Sequence, residues 1–244
     1  MCSLCGRSVE TMKEVIYKDL GRMAYRECWE QQLSLFDALL RSKRSDATAA
    51  ERVAESMAGW LLFVEHNPVY TLGKNGKASN ILFSEQMLER IGAEFFHIER
   101  GGDVTFHGPG QIVGYPILDL EKVGIGLREY IDALEQSVID CLKLWGIESG
   151  RIAGASGVWI APESVRARKI CAIGVRSSRY VTMHGFAFNV STDLRYFSYI
   201  NPCGFVDKGV TSMEVELGRK VDIEQVKTEL INQLKEKLDV KIYK

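Results

Sequence analysis

Two short segments concentrate the reactive and conformationally special residues of this chain. The run Arg100-Gly101-Gly102-Asp103-Val104-Thr105-Phe106-His107-Gly108-Pro109-Gly110-Gln111 combines a guanidinium, a carboxylate and an imidazole with four glycines. Glycine backbone can take positive φ and approach a ligand closely, so main-chain N–H groups there can be aimed at an anion or a developing oxyanion. No Gly-Lys-Ser/Thr closes the run, and it does not read G-x-G-x-x-G ahead of a helix, so it fits a nucleotide phosphate poorly. A sharp turn between two strands would need several glycines without any chemistry. The second segment is Asn201-Pro202-Cys203-Gly204. A turn between Pro and Gly exposes a thiol and frees its N–H as an oxyanion donor. A free thiol with a pKa of about 8.5 is only a few per cent thiolate at neutral pH, so a nucleophilic cysteine needs a cation or a base beside it. Lys169, His107 and His184 are the candidates. Lys169 opens the apolar run to Val175, although most lysines at strand ends reach water. His66 and His97 read as structural, and so do Cys28, Cys141 and Cys171, which lie in periodic apolar segments.

These residues need a scaffold, and the composition supplies one. The chain has 244 residues, 46% of them hydrophobic, which is enough for one large core. A formal net charge of -1 gives no global attraction to nucleic acid or anionic lipid. The apolar runs are far shorter than the ~20 residues of a bilayer span, and no secretory or organellar presequence is visible, so a soluble, cytoplasmic protein is expected. Six cysteines are too sparse for a disulfide framework. Cys2 and Cys5 form half of a zinc motif without a second half, so no metal is expected. Residues 1–11 are expected to be a flexible extension and 12–244 a single domain.

Amphipathic spacing predicts helices from Met23 to about Arg41, from Leu127 to Trp145 and from Asp222 onward, with a polar loop from Ser42 to Ala50. Ser84 and Gly92 bracket a short helix. Strands are expected at Trp60–Glu65, Phe95–Arg100, Ile112–Leu120, Gly157–Ile160, Lys169–Val175 and Gly185–Val190. Because strands and helices do not alternate throughout, the expected class is α+β, a mixed sheet flanked by helices.

In order along the chain, several stretches resemble the lipoyl(octanoyl) transferase family. They are Glu65-His66-Asn67-Pro68-Val69-Tyr70-Thr71-Leu72-Gly73, the Arg100–Gln111 run with Tyr115-Pro116, Gly157-Val158-Trp159, Lys169-Ile170 with Ala172-Ile173-Gly174, and His184 through Cys203-Gly204. The resemblance implies a fold similar to the catalytic domain of biotin and lipoate protein ligases, with a narrow acyl tunnel. It implies that Cys203 accepts the acyl group and that Lys169 lowers the pKa of its thiol. Arg100 to His107, Ala172 to Gly174 and Gly185-Phe186-Ala187 would form the substrate wall. No cofactor is implied. The implied partners are octanoyl acyl carrier protein and the lipoyl domains of 2-oxoacid dehydrogenases and the glycine cleavage H protein. The implied step is the first of endogenous lipoylation: thiolate attack on the carrier thioester, then attack by the domain lysine, with Lys169 or His107 taking its proton. Asp103 stands where the family often has an amide, Cys171 where a small apolar residue is usual, and Phe186 and Phe188 where aliphatics are common. The two phenylalanines are expected to face opposite sides of their strand, leaving at most one in the tunnel. An ATP-dependent lipoate or biotin protein ligase, a non-catalytic acyl-binding module and a thioesterase are the rival readings.

Overall fold

The computed structural model describes residues 13–44, 57–201 and 208–244. The expected N-terminal extension with Cys2 and Cys5, most of the loop expected after Ser42, and Cys203 lie outside the described residues.

The apolar stripes make the long helices. In α1 (Tyr25–Ser42), Cys28, Gln32, Phe36 and Leu39 fall on one buried face. In α4 (Leu127–Leu144) that face is Tyr130, Leu134, Val138 and Cys141, and in α6 (Ile223–Lys237) it is Val226, Leu230 and Leu234. Ser84 caps α2 (Glu85–Ile91) by accepting the N–H of Met87, and Gly92 ends that helix in the left-handed conformation. Asp222 caps α6 through the N–H of Glu224. Two shorter helices, α3 (Leu120–Val123) and α5 (Met213–Leu217), fill connections.

The strands are β1 (Glu14–Met23), β2 (Gly59–His66), β3 (Val69–Leu72), β4 (Glu94–His97), β5 (Val104–His107), β6 (Gln111–Leu118), β7 (Gly150–Ile152), β8 (Ala155–Ile160), β9 (Arg168–Ser178), β10 (Val181–Asn189), β11 (Gly209–Val210) and β12 (Lys241–Tyr243). The main sheet runs β12-β1-β2-β6-β10-β9-β8-β7, with β11 beside β9. Its β12–β1, β1–β2 and β9–β11 pairs are parallel and the others antiparallel, so the sheet is mixed. A second sheet, β4-β3-β5, stands apart. It is tied to the first where the N–H of Gly101 donates to Val175, 3.0 Å away.

The two faces of the main sheet have separate cores. On one, Leu134 and Val138 of α4 and Leu230 and Leu234 of α6 pack with Phe63, Ile112, Phe186 and Phe188. On the other, Phe36 and Leu39 of α1 pack with Leu62, Val64, Ile117 and Met183. The remainder of that second face is where the small sheet approaches, and the site forms there. Two expectations are corrected. The strand expected to reach Arg100 stops at His97, because the chain turns before Arg100. The glycine-rich run is not a turn throughout, since β5 lies inside it.

Candidate active site

Alternation along three adjacent strands builds a floor. Ala187 of β10 stands opposite Val113 of β6 on one side and Ala172 of β9 on the other, and Gly185 stands opposite Gly174. Val113, Tyr115, Ala172, Gly174, Gly185 and Ala187 all line one cavity. Small side chains at the four middle positions leave the space above the sheet open. Ile173 and Phe186 reach the lining between them. The expectation that the two phenylalanines face opposite sides fails, although only Phe186 of the pair reaches the lining. Residues two apart in a strand share a face, and Phe186 and Phe188 both join the core on the α4 side. The Phe186 ring meets Phe63 edge-on at 6.0 Å and lies against Gly114, where a Cβ would come within 2.1 Å of it.

The opposite wall comes from the glycine-rich run. Val104, Thr105 and His107 of β5 line the cavity, joined by Arg100, Gly102 and Asp103 from the preceding loop. Phe106, expected in this wall, points the other way and stacks on Tyr196 at 4.5 Å and against Tyr70 at 5.2 Å. Gly101 lines an adjoining groove instead. Arg100 shapes the wall from within its own loop. Its guanidinium donates to the carbonyls of Gly101, Thr71 and Asp103 at 2.7, 3.3 and 2.8 Å. Gly174 permits this packing, because a Cβ there would stand 2.8 Å from both Arg100 Nη1 and the Gly101 carbonyl. The Asp103 carboxylate accepts the N–H groups of Lys77 and Val104 and pairs with the Asn80 side chain.

Rings form a further part of the lining. Tyr25, at the start of α1, stacks parallel to His107 at 6.2 Å, and His66 meets His107 at 5.9 Å. His66 Nδ1 faces the Met23 carbonyl at 3.0 Å, a group that can only accept, so Nδ1 donates and Nε2 accepts from the Tyr115 hydroxyl at 2.8 Å. Burial holds all three site histidines neutral, with His66 pushed down to about 4 and His107 and His184 to about 3. His184 sits mid-strand at φ +62°, an uncommon conformation for a residue with a side chain. Its Nε2 is buried without a hydrogen-bond partner among the described residues.

Lys169 stands near the start of β9. It is 8% exposed, and its Nζ donates to the Ser156 carbonyl at 3.1 Å and lies 4.6 Å from the centre of the Trp159 ring. It lines the cavity, the adjoining groove and a small inner pocket shared with Gln111 and Asn189. Glu135 of α4 supports this corner by accepting the N–H of Gly157 at 2.8 Å and pairing with Arg151 at 2.7 Å. Cys203 itself is not described, but the chain on either side is fastened nearby. The N–H of Asn201 donates to Asn80 at 2.8 Å, and Gly209 and Val210 pair with Arg168 and Lys169. Cys28, Cys141 and Cys171 are fully buried, and burial raises their thiols, Cys28 and Cys141 to about 12. They suit packing, not nucleophilic chemistry.

His97 lies away from the site, against Phe95 at 4.9 Å. His66, which reads as structural in the sequence, belongs to the ring cluster beside the cavity. Sequence reasoning missed Tyr25, Val113 and Asn189. Tyr115 carries a signal in the Tyr115-Pro116 match, whereas nothing around Tyr25 marks it. Among the described residues no group of three or more His, Cys, Asp or Glu side chains could hold a metal, and no helix is long and apolar enough to cross a membrane.

The fold and the sequence both have known relatives. Residues 25–235 match the model of the lipoyl protein ligase A/B catalytic domain. The chain is 52% identical over 221 residues to an octanoyltransferase from Bacteroides fragilis, covering 91% of this chain and 96% of that one. It is 53% identical over 220 residues to an octanoyltransferase from Parabacteroides distasonis, covering 90% and 96%. Among solved structures, the bipartite lipoate protein ligase from Thermoplasma acidophilum superposes with a TM-score of 0.64 at 16% identity, covering 96% of this chain and 86% of that one, a likeness of fold. With the α+β architecture and these sequence matches together, the chain belongs to the lipoyl(octanoyl) transferase family.

Proposed function

We propose that this chain carries an octanoyl group from acyl carrier protein to a lysine of a lipoyl domain by way of a thioester on Cys203. The acceptors on this reading are the lipoyl domains of 2-oxoacid dehydrogenases and the glycine cleavage H protein, and the setting is the cytoplasm. The observation that carries it is the placing of Lys169. Lys169 lines both the small-residue cavity and the adjoining groove, on the strand next to which the chain returns six residues after Cys203. An ammonium beside a thiol stabilises the thiolate and leaves the neutral thiol nearly unaffected. The thiolate attacks the carrier thioester, the pantetheine thiol leaves, and the acyl chain lies over Ala172, Gly174, Gly185 and Ala187. The lysine amine then attacks the new thioester. Exchange of thioester for amide is downhill, so this route needs no nucleotide. An ATP-dependent ligase is disfavoured by Arg100, whose two Nη groups are directed to the carbonyls of Gly101, Thr71 and Asp103 instead of a phosphate.

The test is intact mass spectrometry after mixing with octanoyl carrier protein. One octanoyl increment mapping to Cys203, absent from Cys203→Ala, is expected. Acylation elsewhere, or full transfer by Cys203→Ala, refutes the covalent route.

A further inference from the structure

A hydrogen-bond relay of fixed polarity crosses the inner pocket beside Lys169. It begins at Thr211, whose N–H donates to the Lys169 carbonyl at 3.0 Å. The Thr211 carbonyl faces the Asn189 side chain at 3.0 Å. A carbonyl only accepts, so the atom facing it is the Asn189 amide nitrogen, and Asn189 Oδ1 is left to accept from Gln111 Nε2 at 2.8 Å. Gln111 Nε2 also faces the Phe106 carbonyl at 3.2 Å, a second acceptor that fixes the same orientation independently. The Gln111 oxygen is therefore the atom 2.9 Å from His107 Nδ1. An amide oxygen cannot donate, so Nδ1 carries the hydrogen. A neutral imidazole has only one N–H.

We infer that Gln111 and Asn189 are positioning residues that hold His107 as its Nδ1–H tautomer, leaving Nε2 as a bare acceptor for the N–H of the attacking lysine amine. His107 lines the cavity, and no described residue hydrogen-bonds its Nε2, whereas the corresponding lone pair of His66 is taken by Tyr115. The inference rests on the transfer reading above. It also refines the role of the ring. A histidine pushed down to about 3 cannot keep the proton of an amine at neutral pH, so it orients the amine and does not store its proton. The step balances without a stored proton. The amine lone pair forms the C–N bond, the C–S bond breaks with its electrons on Cys203 sulfur, and the amine proton ends on that thiolate.

Two measurements test this. In protein with 15N-labelled histidine, the His107 ring, assigned by its loss in His107→Asn, should show a protonated Nδ1 and a bare Nε2. Gln111→Met should shift it toward the other tautomer and Gln111→Glu, which retains an acceptor for Nδ1–H, should restore it. In single turnover, Gln111→Met should acylate Cys203 at the normal rate but pass octanoyl to the lipoyl domain about tenfold more slowly, the worth of one positioned hydrogen bond. The KM for the lipoyl domain should hold, and Gln111→Glu should recover part of the rate. A wild-type ring protonated on Nε2 overturns the inference, as does an unchanged transfer rate in Gln111→Met. A chain that never acquires the octanoyl increment instead refutes the transferase reading, and the tautomer spectrum separates the two failures.

Discussion

Ala172 and Ala187 face each other across β9 and β10 on the cavity floor, so a branched side chain at either narrows the same stretch. One methylene in an apolar pocket discriminates by about 1–3 kcal/mol. Ala187→Val should therefore lower kcat/KM for octanoyl relative to hexanoyl carrier protein by about tenfold or more. Phe188→Leu should leave that ratio unchanged while lowering stability by about 1 kcal/mol, since its ring is in the core of the opposite face. A ratio that follows Phe188 and ignores Ala187 would mean that the acyl chain does not lie on this floor. Lys169 makes a separate claim. Arg keeps a positive charge but cannot act as a base at accessible pH. Lys169→Arg should preserve the low-pH alkylation of Cys203 by a haloacetamide that Lys169→Ala loses, yet recover less of the turnover. Identical thiol titrations in all three proteins would dissolve the pair.

Helix α4 acts on the site through one side chain. Glu135, 5% exposed, holds β8 by the Gly157 N–H, and β8 in turn presents the Ser156 carbonyl that receives Lys169. Glu135→Leu leaves a buried N–H unsatisfied, at a cost of about 1–3 kcal/mol. Urea unfolding should show that loss and octanoyl transfer should fall with it, whereas Glu135→Gln, whose amide oxygen still accepts, should stay near wild type in both. Equal behaviour of the two variants would remove Glu135 from the support of Lys169. That link is invisible in the sequence, where Glu135 is one more acid on a helix. The three long helices were legible there because only helical winding brings apolar residues at three- and four-residue spacing onto one face. The strands β1, β3, β5 and β12 were not. β1 is half exposed and charged, β3 and β5 are four residues each inside motifs that stand out for their chemistry, and β12 has three. The wall residues were legible because glycines and a family resemblance marked them. The Gln111–Asn189 contact depends on β6–β10 register, which no local pattern encodes.

The cluster of buried histidines ties the stability of the whole molecule to acidity. His66, His107 and His184 sit near 4, 3 and 3 in the folded protein, against about 6.5 in an unfolded chain. Below pH 6.5 the unfolded chain therefore binds protons that the folded one refuses, and stability falls as pH falls, from about 6.5 down toward the folded values. At pH 5 each such histidine costs on the order of 2 kcal/mol, so three together rival the 5–15 kcal/mol of a typical domain. The carboxylates of Asp140 and Glu216 are lowered by Lys237 and Arg168, so their losses begin only nearer pH 4 and leave the window above it to the histidines. Urea unfolding at pH 7.5, 6 and 5 should show a steep decline, with a slope approaching three protons taken up per molecule unfolded. His184→Asn isolates one of them. Asn tolerates the left-handed backbone that His184 occupies and does not titrate. It should make the slope shallower by about one proton without changing the stability order at pH 7.5 by a comparable amount. A flat profile in the wild type, or the same slope in His184→Asn, would show that these rings exchange protons freely with solvent in the folded state.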